Sequence, residues 1–172
     1  LKGGRFYLFF KNKEQKKLEE IFEELIIKEK NSLYKLAYMH VKNSNDAMDI
    51  LQESTLKAYK KLNTVKDDSL LDRWLKRIIV NCSIDYIKRN SKVIYIDDVE
   101  ITGGIHRDRN YEDLYEAVDM LSPELRSIII LKYFQGYTIE EVGELLDIST
   151  SQVKNKLHKA LKLLRLEIKI SS

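Results

Sequence analysis

A single proline, Pro123, and six glycines stand in 172 residues. These are the two residues that most disfavour a helix interior, by about 3 and 1 kcal/mol against alanine. A chain nearly free of both, and rich in Leu, Ile, Glu and Lys, has little to interrupt helices and few of the turn signals that sheets require. The proline itself reads as a helix start. In Ser122-Pro123-Glu124 the serine can cap, the proline fits the first helical position, and the glutamate favours the positive end of the helix dipole. The expected fold class is therefore all-α.

The stretch Thr138–Leu164 carries the most informative local pattern. Thr138 is a good N-cap, and Glu140 and Glu141 put negative charge in the first turn. Ile139, Val142, Leu145 and Leu146 recur at three and four residues, as one buried helix face requires. The pattern breaks at Asp147-Ile148-Ser149, where Ser149 can cap a second helix with an apolar stripe of Val153, Leu157, Ala160, Leu161 and Leu164. Two short helices joined by a tight turn have the form of a helix-turn-helix, whose second helix enters the DNA major groove. The outward face of that helix holds Ser151, Lys154, Asn155, His158, Lys159 and Lys162, with no carboxylate. Such a face suits a polyanion, although two core helices with a lysine-rich surface share the pattern.

Composition limits the alternatives. Thirty Lys and Arg against 27 Asp and Glu give a net charge of only +3, so nucleic-acid binding has to come from local clustering. The one cysteine, Cys82, rules out an internal disulfide and a multi-cysteine metal site. No apolar run reaches the length of a membrane span, so no membrane insertion is expected, and without a secretory signal the expected compartment is the cytosol. No glycine-rich phosphate loop occurs, and His40, His106 and His158 lack metal-ligand spacing. An enzyme is not expected, and no cofactor or metal is called for.

Along the chain, residues 1–13 form an N-terminal arm. Its run Phe6–Phe10 suits a strand, a flexible arm, or a stretch additional to the natural product, and carries no assigned function. A first helix is expected over about Glu14–Val41, with Asn31-Ser32 as a bend or break. Asn45 is expected to cap a second helix, about Asp46–Leu62, with Ala47, Ile50, Leu51, Ala58 and Leu62 inward. Asp46, Asp49, Gln52 and Glu53 make an acidic patch on its first turns, either complementing the helix dipole or docking a basic partner. After the polar loop Asn63–Ser69, which includes Lys66, a third helix spans about Leu70–Asn90. Leu71, Trp74, Leu75, Ile78, Cys82 and Tyr86 are its expected buried face. Arg73, Arg77, Asn81, Asp85 and Lys88, joined by Lys76 and Arg89, form a second basic stripe. Its asparagine can bond a base edge as donor or acceptor. Residues 91–110 lose periodicity and read as a linker. A second helical unit follows, with Leu114, Ala117, Val118 and Leu121, then Leu125, Ile128, Ile129 and Tyr133, ending at Gln135-Gly136 before the helix-turn-helix.

Three blocks in this order resemble the extracytoplasmic-function (ECF) group of bacterial RNA polymerase sigma factors. The first is Asn45–Glu53 continuing to Ala58-Tyr59. The second is Trp74–Ile78 with Asn81, Asp85 and Lys88-Arg89. The third is Leu121–Glu124 with Gly136–Thr138, Glu140-Glu141 and Val153–Ala160. The resemblance covers about Leu18–Arg165. It implies a three-helix N-terminal bundle (sigma region 2, residues 14–90) and a four-helix C-terminal helix-turn-helix domain (sigma region 4, residues 111–172), joined by a flexible linker at 91–110.

By this resemblance Asp46, Asp49, Gln52 and Glu53 would dock on the β′ clamp helices of bacterial core RNA polymerase. The third helix and the loop before it would open the −10 promoter element, with Asn81 at the pocket for a flipped base and Lys66, Arg73, Arg77, Lys88 and Arg89 around it. Taking a base out of the stack costs on the order of a few kcal/mol, which phosphate contacts can offset. Lys154, Asn155, His158 and Lys159 would read the −35 element, with Ser151, Gln152 and Lys156 as neighbours. An anti-sigma factor is a further partner commonly found in the family. The sequence departs from the family at Gly143, where alanine is usual, and at Asp147, where glycine is common. Two other readings stay open: a helix-turn-helix regulator that does not act as a polymerase subunit, and a helical protein whose basic faces bind acidic proteins.

Overall fold

The computed structural model describes the backbone of residues 3–90 and 111–170, and the side chains of 13–90 and 114–165. Among the described residues there are α-helices and short 3-10 or π turns, and no strand. The chain divides into two compact units, residues 1–38 with 42–82, and residues 39–41 with 83–172. The linker expected at 91–110, with Asp97, Asp98, Glu100 and His106, lies outside the described residues.

The first helix, α1, runs unbroken over Gly3–Val41. The arm expected at 1–13 thus has helical backbone from Gly3, and Phe6–Phe10 is not a strand. Nor does Asn31-Ser32 break the helix. These residues cost at most about 0.7 kcal/mol each in propensity. Leu33 and Leu36 just beyond them are buried, and burying a leucine is worth about 1.5–3 kcal/mol. The helix ends at Lys42, whose left-handed φ of 56° turns the chain.

The second helix, α2, spans Ser44–Lys61, and its N-cap is Asn43, not Asn45. Asn43 Oδ1 accepts from the backbone N–H of Asn45 at 2.9 Å and of Asp46 at 3.1 Å. Ala47, Ile50, Leu51 and Ala58 are buried as expected, and Leu62 is buried in the 3-10 turn that follows. The Phe22 and Tyr59 rings, 6.4 Å apart between centroids, bring α1 and α2 together.

The polar loop forms two 3-10 turns, Leu62–Thr64 and Asp68–Leu70, and helix α3 then runs Leu71–Asn90. Leu71, Leu75, Ile79, Val80, Cys82, Ile84 and Ile87 are its buried apolar residues. Trp74, Ile78 and Tyr86, expected in the core, are half-buried.

The second unit contains α4 (Tyr111–Met120), α5 (Pro123–Ile129) with a π turn at Ile130–Phe134, α6 (Ile139–Leu146) and α7 (Thr150–Ile170). Its core joins Val118 of α4 and Leu121 just after it, Leu125 and Ile129 from α5, and Ala160, Leu163 and Leu164 from α7. Pro123 occupies the first turn of α5 as expected, but the Ser122 side chain makes no capping bond. Leu114, Tyr133 and Leu161, expected inward, are 37%, 56% and 40% exposed. Buried Arg126 meets orphan carbonyls, donating to Leu121 O and Asp119 O at the end of α4 and to His40 O. Gly136, at φ 74°, stops the π turn.

Candidate nucleic-acid interface

Helix α6 begins with a reciprocal cap. Glu141 N–H donates to Thr138 Oγ1 at 3.2 Å, and Thr138 N–H donates to Glu141 Oε2 at 2.8 Å. Two of the helix's orphan donors are thereby satisfied. At the other end Asp147 adopts the left-handed conformation, φ 59° and ψ 42°, which Asp tolerates better than most residues. Its N–H and that of Ile148 both donate to Gly143 O, the latter at 3.0 Å. Gly143 is needed for this closeness, because a Cβ there would lie 2.8 Å from Ile148 O. The turn is thus fixed by a glycine before it and an αL aspartate within it.

Ser149 caps α7, as its sequence position suggests, and the bond is returned. Gln152 N–H donates to Ser149 Oγ at 3.2 Å, and Ser149 N–H donates to Gln152 Oε1 at 2.9 Å. Val153, Ala160, Leu163 and Leu164 point into the core. Ser151, Gln152, Lys154, Asn155, His158 and Lys159 are all exposed, and Lys162 extends the same face. Lys156 is the exception among the expected contacts. It is half-buried, with Nζ 2.8 Å from Glu124 Oε2.

Glu124 also receives Lys88 Nζ at 3.0 Å. The hydrogen bonds from Lys156 and then Lys88 pull its carboxyl down to about 2, against partial burial that acts in the opposite direction. On the last turns of α3, Lys88 and Arg89 are exposed, and Arg89 Nε donates to Asp85 O at 3.2 Å. Nearer its start, Arg73 and Arg77 are half-buried, while Asn81 is exposed. Lys66 is exposed in the loop between the two 3-10 turns. Beside it, Asp67 Oδ1 accepts from Ser69 Oγ at 2.6 Å and Ser69 N–H at 3.0 Å, and these bonds hold the Asp67 carboxyl below its ordinary range.

On α2, Asp49, Gln52 and Glu53 are exposed and Asp46 is half-buried. Glu53 is paired with Lys57 at 2.6 Å, and that hydrogen bond holds the Lys57 ammonium above its usual value. Sequence reasoning missed the apolar part of this surface: Met48, Leu56 and Tyr59 are 39%, 55% and 49% exposed. The signal was available, since Asp49, Gln52, Glu53 and Leu56 step by three, four and seven along one face. Among the described residues no cluster of His, Cys, Asp and Glu has the form of a metal site. No described helix is long and apolar enough to cross a membrane.

Comparison with known proteins places these faces in context. The sequence profile described as Sigma-70 region 2 matches residues 25–93, and that described as Sigma-70 region 4 matches residues 111–164. The RNA polymerase sigma factor SigV of Bacillus subtilis is 36% identical over 142 residues, covering 81% of this chain and 86% of that protein. The ECF RNA polymerase sigma factor SigW of the same organism is 26% identical over 169 residues, covering 88% and 90%. Among solved structures, the sigma factor RpoE in complex with the anti-sigma factor NepR, from Bartonella quintana, is similar in fold. Its TM-score is 0.63 at 24% identity, over 88% of this chain and 98% of that one.

Proposed function

Because the chain belongs to the sigma-70 family of RNA polymerase sigma factors, in its extracytoplasmic-function group, and so directs promoter-specific transcription initiation, we propose how its faces divide that work. Residues 14–90 act as region 2 and residues 111–172 as region 4. Asp46, Asp49, Gln52 and Glu53 dock on the β′ clamp helices of core polymerase, and exposed Met48, Leu56 and Tyr59 add apolar contact. Lys66, Arg73, Arg77, Lys88 and Arg89 hold phosphates around the −10 element, while Asn81 receives a base drawn out of the stack.

Ser151, Gln152, Lys154, Asn155, His158 and Lys159 meet the −35 element, and Lys156 joins them when it leaves Glu124. The observation that carries this reading is the exposed, carboxylate-free face of α7 directly after a doubly capped turn. It is the geometry of a recognition helix presented to a groove. The protein contributes binding and no bond-making chemistry, works in the cytoplasm where its polymerase is, and is open to capture by an anti-sigma factor. A regulator outside the polymerase is disfavoured, since it has no use for the region 2 match at 25–93.

The test is run-off transcription with purified chain, bacterial core polymerase and linear promoter fragments. Discrete transcripts that depend on the chain are expected. Absence of both transcripts and co-purification with core overturns the assignment.

A further inference from the structure

The cap of α7 does more than end a turn. Gln152 is exposed at the start of the face assigned to the −35 element, yet its carbonyl oxygen is already committed. Oε1 accepts from Ser149 N–H at 2.9 Å and from Ser149 Oγ at 3.2 Å. A backbone N–H can only donate, so the orientation of the amide is settled by chemistry. An amide oxygen has two lone pairs, and both are engaged. What Gln152 offers outward is its Nε2 with two N–H donors and no acceptor.

This changes the base that the residue can recognise. A free glutamine pairs with adenine through both ends of its amide, accepting from N6 and donating to N7. With Oε1 held by Ser149, that pairing has no acceptor and sets donor against donor at N6. Guanine presents O6 and N7, both acceptors, side by side on its major-groove edge. We propose that Gln152 is a specificity-determining residue that reads guanine in the upstream promoter element, because its own helix cap has made it a donor-only side chain. The inference rests on the assignment of α7 to that element. It adds a base and a reason for it.

The experiment selects promoters for open-complex formation by holoenzyme, assembled from the full chain and core polymerase, from a library randomised across the upstream element. Three chains are compared: wild type, Gln152→Glu and Gln152→Lys. Glutamate can accept from Ser149 as glutamine does, completing the same reciprocal cap, but it has no donors. Thermal unfolding of Gln152→Glu should match wild type, which separates a lost reading from a lost fold. Lysine cannot cap but donates only.

The wild type should prefer guanine at one upstream position by roughly tenfold over adenine. Gln152→Lys should keep that preference, and Gln152→Glu should lose it or turn to cytosine, whose N4 donates. Adenine preferred by the wild type, or guanine still preferred by Gln152→Glu, overturns the proposal while leaving the recognition helix in place. Selection of no upstream sequence by any of the three chains overturns the assignment of α7 itself.

Discussion

Gly143→Ala tests how the helix-turn-helix is held. In an open helix interior the substitution stabilises by about 1 kcal/mol. Here the new Cβ would lie 2.8 Å from Ile148 O and 3.6 Å from Val153 Cγ2. The first neighbour is backbone and cannot swing aside. A tolerable carbon–oxygen contact of about 3.3 Å requires the turn to open by roughly 0.5 Å. That movement takes the 3.0 Å bond from Ile148 N–H to Gly143 O to the edge of hydrogen-bonding distance. Overpacking of this kind costs about 1–3 kcal/mol and a lost hydrogen bond about 1 kcal/mol more.

The penalty outweighs the helical gain, leaving Gly143→Ala less stable by about 1–3 kcal/mol. Thermal unfolding followed by far-ultraviolet circular dichroism should then show Tm lowered by at least roughly 4 °C for the C-terminal unit. A Tm equal to or above wild type would mean that the turn yields without cost, and the argument for a glycine-set closeness fails.

Three further substitutions have defined outcomes. Glu124 has its carboxyl lowered from 4.5 to about 2, so its contribution is present above about pH 4.5 and is lost as pH falls through about 2. Glu124→Gln should remove that part of the acid dependence in urea titrations at successive pH values, and identical profiles would refute the pairing. Because Glu124→Gln also releases Lys156 and Lys88, the salt slope of DNA binding should steepen by about 1 for each of the two that reaches a phosphate. Asp49→Lys should abolish co-purification with core polymerase while leaving the unfolding curve unchanged; retained binding would remove the acidic stripe from the docking surface. Asn81→Ala should abolish transcription from duplex promoters and regain it on templates with a pre-opened −10 bubble, whereas equal loss on both would assign Asn81 a structural task.

What could be read in the sequence was short-range. Thr138, Ser149, Gly136 and Pro123 do their work through bonds or backbone angles within about three residues, so their positions alone foretold them. The inward residues of α2 were legible for a similar reason, because small and branched apolar side chains there follow the helical period cleanly.

Part of what was missed depends on partners far along the chain. Nothing near Lys156 in sequence reveals Glu124, 32 positions earlier, which takes its ammonium. Asn43 and Asn45 are equally good caps by composition. The left-handed turn at Lys42 decides between them. On α7 the stripe was placed through Leu161, but Leu163 is buried instead. Both leucines fit a helical period about equally well, and packing against α4 and α5 chooses. Gln152 was read as a contact and also proved to be a cap, a role that needs only Ser149 three residues before it.

The turn at Asp147 also has a mechanical meaning. It is a fulcrum, and α7 is a lever with unequal arms. The residues assigned to DNA lie at its near end, within a few turns of Ser149. Leu163 and Leu164, gripped in the core, lie roughly 20 Å from Ser149 at 1.5 Å per residue. A tilt that moves Lys154 and Asn155 by a fraction of an ångström must displace those leucines about twice as far, against close-packed neighbours that resist it. The long arm therefore steadies the short one, and the aim of the recognition face is governed by side chains that never approach the DNA.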